Sequence, residues 1–179
     1  MAPSKQGQQR GGQAKKSSVS VTTSIWDRKA DLLYFIFFII HVPVMLCIDL
    51  VPLYPESFRP EAFLQLRAFY IETYGDKNFT EPTAWFMAYT WMEALYHLPL
   101  SIWAVGALCR DDPMVPVHLL AWGVQTVITT LTCLVEAWSW TDMTSDEKLA
   151  ITYLYGPYIA LAGVMVLDMF FRLKSRLGK

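Results

Sequence analysis

Seven polar side chains lie inside stretches that are otherwise apolar: Asp49, Glu93, His97, Gln125, Thr129, Tyr155 and Tyr158. Two carboxyls, an imidazole, an amide and three hydroxyls can hold an amine or a hydroxyl, or pass a proton. Glu93 and His97 are four residues apart, so on a helix they share one face. Two carboxyls held together in low dielectric repel if both ionise, which favours one raised pKa and a shared proton. Such a pair keeps about one net negative charge and accepts a cationic or hydroxyl-bearing ligand. The competing role is a structural hydrogen bond locking two helices together, and both roles can coexist. No cofactor or metal chemistry is suggested. Cys47, Cys109 and Cys133 sit in or beside apolar runs, none in a CxxC pair, and read as free thiols rather than zinc ligands or a disulfide framework.

The elements that must position these groups are membrane helices. The chain has 179 residues, 54% hydrophobic and 15% aromatic, with a mean hydropathy of +0.28. Only 17% are charged, against about 25% in a typical soluble domain. A bilayer core of about 30 Å needs about 20 mostly apolar residues in a helix. Four segments qualify: Leu32–Val51, Thr83–Leu108, Pro113–Val135 and Leu149–Phe171. The expected fold is an all-α, four-helix transmembrane bundle. Pro43, Pro99, Pro116 and Pro157 fall within the spans and are expected to kink helices around a shared interior, where neighbours can re-satisfy the freed carbonyls. At about 1.5 Å per residue, Asp49, Glu93, Thr129 and Tyr155 all lie about 24–27 Å from one membrane edge. His97, Gln125 and Tyr158 come one turn nearer that edge. An ionisable residue inside a span is costly and points to function.

Orientation follows from the cations. Four spans put both termini on one side, and that side carries eleven of the fifteen Lys and Arg residues. Both termini are therefore expected to be cytosolic. Residues 1–24 are basic and poor in large apolar groups, and are expected to form a disordered tail. The transmembrane domain is expected over residues 25–172, followed by a short basic cytosolic tail over 173–179. The first apolar stretch is too long for the core of a signal peptide. Asp168 is placed to pair with Arg172 one turn on. Between spans one and two, Phe63, Leu66, Phe69 or Tyr70, and Tyr74 recur at helical spacing, which predicts a short luminal amphipathic helix that seals the bundle or covers a cavity. His41 and His118 read as satisfied core histidines. Asn78-Phe79-Thr80 is a glycosylation sequon close to span two, so its modification is not expected. A net charge of −1 argues against nucleic acid as a partner.

Four segments, in order and spacing, carry a resemblance: His41-Val-Pro-Val-Met-Leu-Cys-Ile-Asp49-Leu50, Glu81-Pro-Thr-Ala-Trp85-Phe86, Met92-Glu93-Ala-Leu-Tyr-His97-Leu-Pro99 and Tyr155-Gly-Pro157-Tyr158. Across residues 25–172 the chain resembles the sigma-2 receptor family of the EXPERA superfamily, and within it a fungal-type member. The resemblance implies a multi-pass protein of the endoplasmic reticulum membrane, a homodimer, with a cavity open toward lipid. It implies sterols or cationic amphiphiles as ligands, membrane lipids and a membrane-protein partner as company, and a link to sterol or lipid trafficking. The family's ligand-contacting carboxylate falls on Asp49, its hydrogen-bonded glutamate on Glu93, and a structural acidic position on Asp76. His97 stands where the animal receptors carry Gln. A fungal branch is linked to handling mitochondrial precursors at the reticulum surface. The related emopamil-binding sterol isomerases supply the enzymatic alternative. They carry His one turn before the catalytic Glu, where this chain has Tyr89, and an extra span, so a non-enzymatic binder is the expectation.

Overall fold

The computed structural model describes residues 23–178. Nearly all of the N-terminal tail expected over 1–24 lies outside the described residues. Besides two short 3-10 turns, Val51–Leu53 and Glu56–Phe58, the described residues form six helices: α1 Lys29–Asp49, α2 Glu61–Tyr74, α3 Lys77–Thr80, α4 Ala84–Cys109, α5 Val115–Ser139 and α6 Ser145–Leu177. Among the described residues there is no strand. Helices α1, α4, α5 and α6 are long and apolar enough to cross a membrane. They match the four spans read from the sequence, extended by a few residues at several ends. Helix α6 runs on to Leu177, so most of the segment expected as a C-terminal tail continues the helix.

The two halves of the bundle differ. The half that carries Arg28 and Arg172 holds the buried core. Tyr34 and Phe38 of α1, Ala104, Ala107 and Leu108 of α4, Leu119 and Trp122 of α5, and Met165 and Met169 of α6 form one buried cluster. Small residues let the backbones close in. A Cβ on Gly123 of α5 would stand 2.9 Å from Val166 Cγ2 and 3.2 Å from the Ala162 carbonyl oxygen, so a larger residue would push α5 and α6 apart. The packed half ends in an ionic clamp. Asp31, only 3% exposed, pairs with Arg28 and with Arg172 at 2.6 Å. Arg172 also pairs with Asp168 at 2.7 Å, as the four-residue spacing predicts, and the Tyr34 hydroxyl donates to Asp168 at 3.0 Å. Arg28 donates to the Leu108 carbonyl at 2.6 Å. Helices α1, α4 and α6 are thus tied at one end.

The other half, the far end, is built differently. Helix α1 finishes in a wide π turn, Met45–Asp49, and α4 carries another, Glu93–His97. The second has a local cause. Pro99 has no N–H to give and its ring crowds the carbonyl of Leu95, four residues earlier, so an i→i+5 turn absorbs the mismatch. Each π turn ends or begins at a carboxyl, Asp49 in the first and Glu93 in the second. Pro157 lies inside α6 as expected, whereas Pro116 sits in the first turn of α5, where a missing N–H is harmless.

Helix α2 packs over the end of α1. Its inward face is half-buried and carries Phe63, Arg67, Tyr70 and Tyr74, while Leu66 and Phe69 are exposed at 41% and 64%. The amphipathic helix exists, but its buried stripe runs through Arg67 in place of Leu66. The reason is hydrogen bonding. Arg67 satisfies the Ile48 and Phe79 carbonyls at 2.8 and 3.1 Å, which an apolar residue could not do. Gly75, at φ +61°, ends α2 in the left-handed conformation.

Removing one member of a buried ion pair leaves a stranded charge. Asp31→Ala should therefore cost about 3 kcal/mol, read as a lowered midpoint in thermal unfolding of the detergent-purified protein. Asp168→Ala should cost less, because that carboxyl is partly exposed.

Candidate functional site

The far half holds a partly open cavity of about 180 Å³ between all four spans. Of the residues singled out in the sequence, Asp49, Glu93, His97, Thr129, Tyr155 and Tyr158 line it. Gln125 does not reach its wall; the amide is packed inside the bundle with Nε2 lacking a partner. Asp49 and Glu93 both line the cavity, so the two carboxyls expected at one level share one chamber.

The walls have a definite polarity. The hydroxyl of Thr90 donates to the Phe86 carbonyl at 3.0 Å, that of Thr126 to the Trp122 carbonyl at 2.9 Å, and that of Thr129 to the Thr126 carbonyl at 3.3 Å. Each hydroxyl proton is spent on its own helix, so the oxygens that remain are acceptors. With two carboxyls, the cavity is rich in acceptors and suits a ligand that donates. Aromatic and aliphatic groups, Phe79, Phe86, Met92 and Leu154, supply the rest.

Asp76 organises one wall without lining it. It has no exposed surface. Its carboxylate accepts from the Tyr155 hydroxyl, from the Tyr70 hydroxyl at 3.1 Å and from the Asn78 backbone N–H at 3.0 Å. One carboxylate thereby fixes two cavity tyrosines, one from α2 and one from α6, and caps α3. Burial lifts the Asp76 carboxyl above its usual 3.8, and the Tyr155, Asn78 and Tyr70 donors hold part of that rise back. Burial likewise pushes the Tyr70 hydroxyl well up, helped by the Asp76 charge. Asn78 is 3% exposed, so the sequon has no accessible acceptor in the folded chain.

Some site residues were missed. His41 does not behave as a satisfied core group, because it lines the cavity and its Nδ1 has no partner. It stacks on Phe37 at 5.0 Å and lies near Trp122 and Tyr158. Thr126, Thr130 and Cys133 also line the cavity. With Thr129 they follow i, i+3, i+4, i+7 spacing, a one-face signal that was there to be read. Trp122 is core, with His97 against it at 5.1 Å, and Trp91 faces outward. His118 packs edge-on against Trp103. A second cavity, of about 360 Å³, adjoins the first at the far end and shares Asp49, Phe79, Phe86 and Thr90 with it.

The chain is a four-span helical bundle whose far half carries a cavity with two carboxyls in its lining. The family model described as EXPERA, the expanded EBP superfamily, matches residues 62–169, and the chain belongs to that superfamily. The matched stretch includes Asp76, Glu93 and His97, while Asp49 precedes it. A Schizosaccharomyces pombe protein, "Efficient mitochondria targeting-associated protein 19", is 30% identical over 141 residues, covering 78% of this chain and 74% of that one. "Sigma intracellular receptor 2" of Xenopus tropicalis is 24% identical over 158 residues, covering 83% and 92%. The Homo sapiens protein of that name is 24% identical over 155 residues, covering 79% and 88%. The resemblance to the sigma-2 receptor family, and to a fungal-type member, therefore holds.

Asp76→Ala strands two tyrosine hydroxyls and a backbone N–H, and should cost about 3 kcal/mol or more. Asp76→Asn keeps one acceptor and should cost less. The pH dependence has a definite sign. A carboxyl whose folded pKa is raised contributes stability that is complete below its usual 3.8 and is lost as pH rises through its folded value. The stability gap between the parent and Asp76→Asn should therefore narrow as pH rises from about 4 in thermal unfolding scans.

Proposed function

We propose that this protein is a non-enzymatic binder of sterols or cationic amphiphiles in the endoplasmic reticulum membrane, serving sterol or lipid trafficking. The observation that carries this reading is the acceptor-rich cavity: Asp49 and Glu93 on one chamber, among threonines whose hydroxyl protons are already committed. An amine or a hydroxyl is the donor such a wall wants, and the aromatic lining suits a flat apolar body. Asp49 is the anion that meets the ligand's amine or hydroxyl, and Glu93 is the protonated partner. His97 and Tyr158 bound the deeper side, Thr129 and Tyr155 the walls.

The reading includes a homodimer and contact with membrane lipids and a membrane-protein partner. It needs no cofactor or metal. Catalysis is not part of it, because Tyr89 stands where the isomerases carry the His that precedes their Glu. A second reading is favoured by one observation, the name of the Schizosaccharomyces pombe relative. There the protein would aid mitochondrial precursors at the reticulum surface. Pull-downs of membrane partners with and without sterol separate the two.

Asp49→Asn keeps the side chain's shape and removes its charge. A radiolabelled cationic amphiphile should lose about 2–5 kcal/mol of binding, and a labelled sterol much less. Glu93→Gln should cost less for either. If Asp49→Asn keeps the parent's thermal stability and binds the amine as tightly, the carboxyls are structural and the ligand sits elsewhere.

The far end is proposed to face the lumen and both termini the cytosol. Protease added outside sealed microsomes should then remove the N-terminal tail. An N-terminal tail left intact under those conditions overturns the topology.

A further inference from the structure

The second cavity has a chemistry opposite to the first. Two arginines line it, Arg59 and Arg67. Arg59 donates to the Tyr54 carbonyl at 2.8 Å and the Pro52 carbonyl at 3.3 Å. Arg67 donates to the Ile48 and Phe79 carbonyls, and its guanidinium lies 4.9 Å from the centre of the Phe79 ring. These partners are neutral. They hold both side chains in place without cancelling either charge. Among the described residues neither arginine enters an ion pair.

A second observation comes from a different element. Asn78, at the start of α3, is 3% exposed, lines the same cavity, and its Nδ2 has no hydrogen-bond partner. A buried donor left unpaired is expensive, and two guanidinium groups against one carboxyl leave the cavity lining with a surplus of positive charge. Burial pulls the Arg67 guanidinium below its usual value, with Asp49 the largest influence opposing it. Asp49 is the one acid in the lining, and it also serves the first cavity. Leu64, Pro82, Phe86 and Met87 make the remaining wall apolar. Two cations, one unpaired amide donor and an apolar flank share a space of about 360 Å³.

We propose that this far-end cavity is a separate binding site for the anionic head of an amphiphile, a carboxylate or a phosphate, held by Arg59, Arg67 and Asn78. The apolar flank takes the first carbons of the tail. This site adjoins the donor-seeking cavity and shares Asp49, Phe79, Phe86 and Thr90 with it, but it does not depend on the proposed function. The two chambers meet at Asp49, which repels an anion on one side while it attracts a donor on the other.

The test uses the full-length protein in phosphatidylcholine nanodiscs and three probes of one chain length: oleate, oleyl alcohol and oleylamine. Oleate should bind about ten-fold or more tighter than oleyl alcohol, and salt should weaken it. Arg59→Gln with Arg67→Gln should bring oleate down to the level of the alcohol, while Arg67→Lys should keep most of the difference. Asp49→Asn should strengthen oleate binding and weaken the amine. The two proposals thus fail separately: loss of the amine effect alone overturns the first cavity's role, and loss of the oleate effect alone overturns this one. Should the glutamine variants not fold, the charge series on the parent protein decides. Equal binding of oleate and oleyl alcohol overturns the site, as does full retention of oleate by the folded double variant. Inorganic phosphate that stabilises the protein as much as oleate would make the occupant a free anion and overturn the amphiphile.

Discussion

Asp76 is fully buried, and its three donors come from three separate elements: Tyr70 of α2, the Asn78 backbone at the start of α3, and Tyr155 of α6. A carboxylate cannot be left in such a place without donors, and donors so placed cannot be left without it. Their mutual need fastens the far-end cap to the bundle. Two tyrosines that face the cavity are held by the same oxygen atoms. The cavity wall and the closure of the far end are therefore one structure, and a change at Asp76 reaches both.

The contrast between the two halves follows from how backbone is satisfied inside a membrane. In the half that carries Arg28 and Arg172, regular helices with small residues at their contacts pack into one buried cluster, and an ionic clamp closes the edge. In the far half, two π turns widen the helices where Asp49 and Glu93 stand. A wide turn costs regular hydrogen bonding, and here it coincides with polar groups directed at an interior chamber. The arginine of α2 repairs part of the cost, since Arg67 caps the Ile48 carbonyl at the end of the first π turn.

Two chambers of opposite demand then lie side by side. One presents carboxyls and threonine oxygens, the other guanidinium groups and an amide N–H. The same short segment supplies both: Asp49 ends α1, and the arginines follow within the next two turns of chain and the cap helix. Charge of either sign is costly at this depth, so each chamber favours a ligand that brings the missing partner.

The number of spans, their order and their boundaries to within a few residues were legible in the sequence, because hydropathy over about 20 residues is a local property of the chain. So was the common level of Asp49, Glu93, Thr129 and Tyr155, which line one cavity, since helical rise converts position directly into distance. The Asp168–Arg172 pair was readable for the same reason. Rotation about the helix axis was not. Gln125 and Thr126 are neighbours in sequence, yet Thr126 meets the cavity and Gln125 does not. His41 lines the chamber although its surroundings in sequence are wholly apolar. Arg67 displaced Leu66 from the buried stripe of α2 because carbonyls freed at a distant turn needed donors. A π turn adds a fraction of a residue to the register, and everything beyond it turns to a new direction. Which side chains share a chamber is set by that rotation and by packing between spans, and only the tertiary structure decided it.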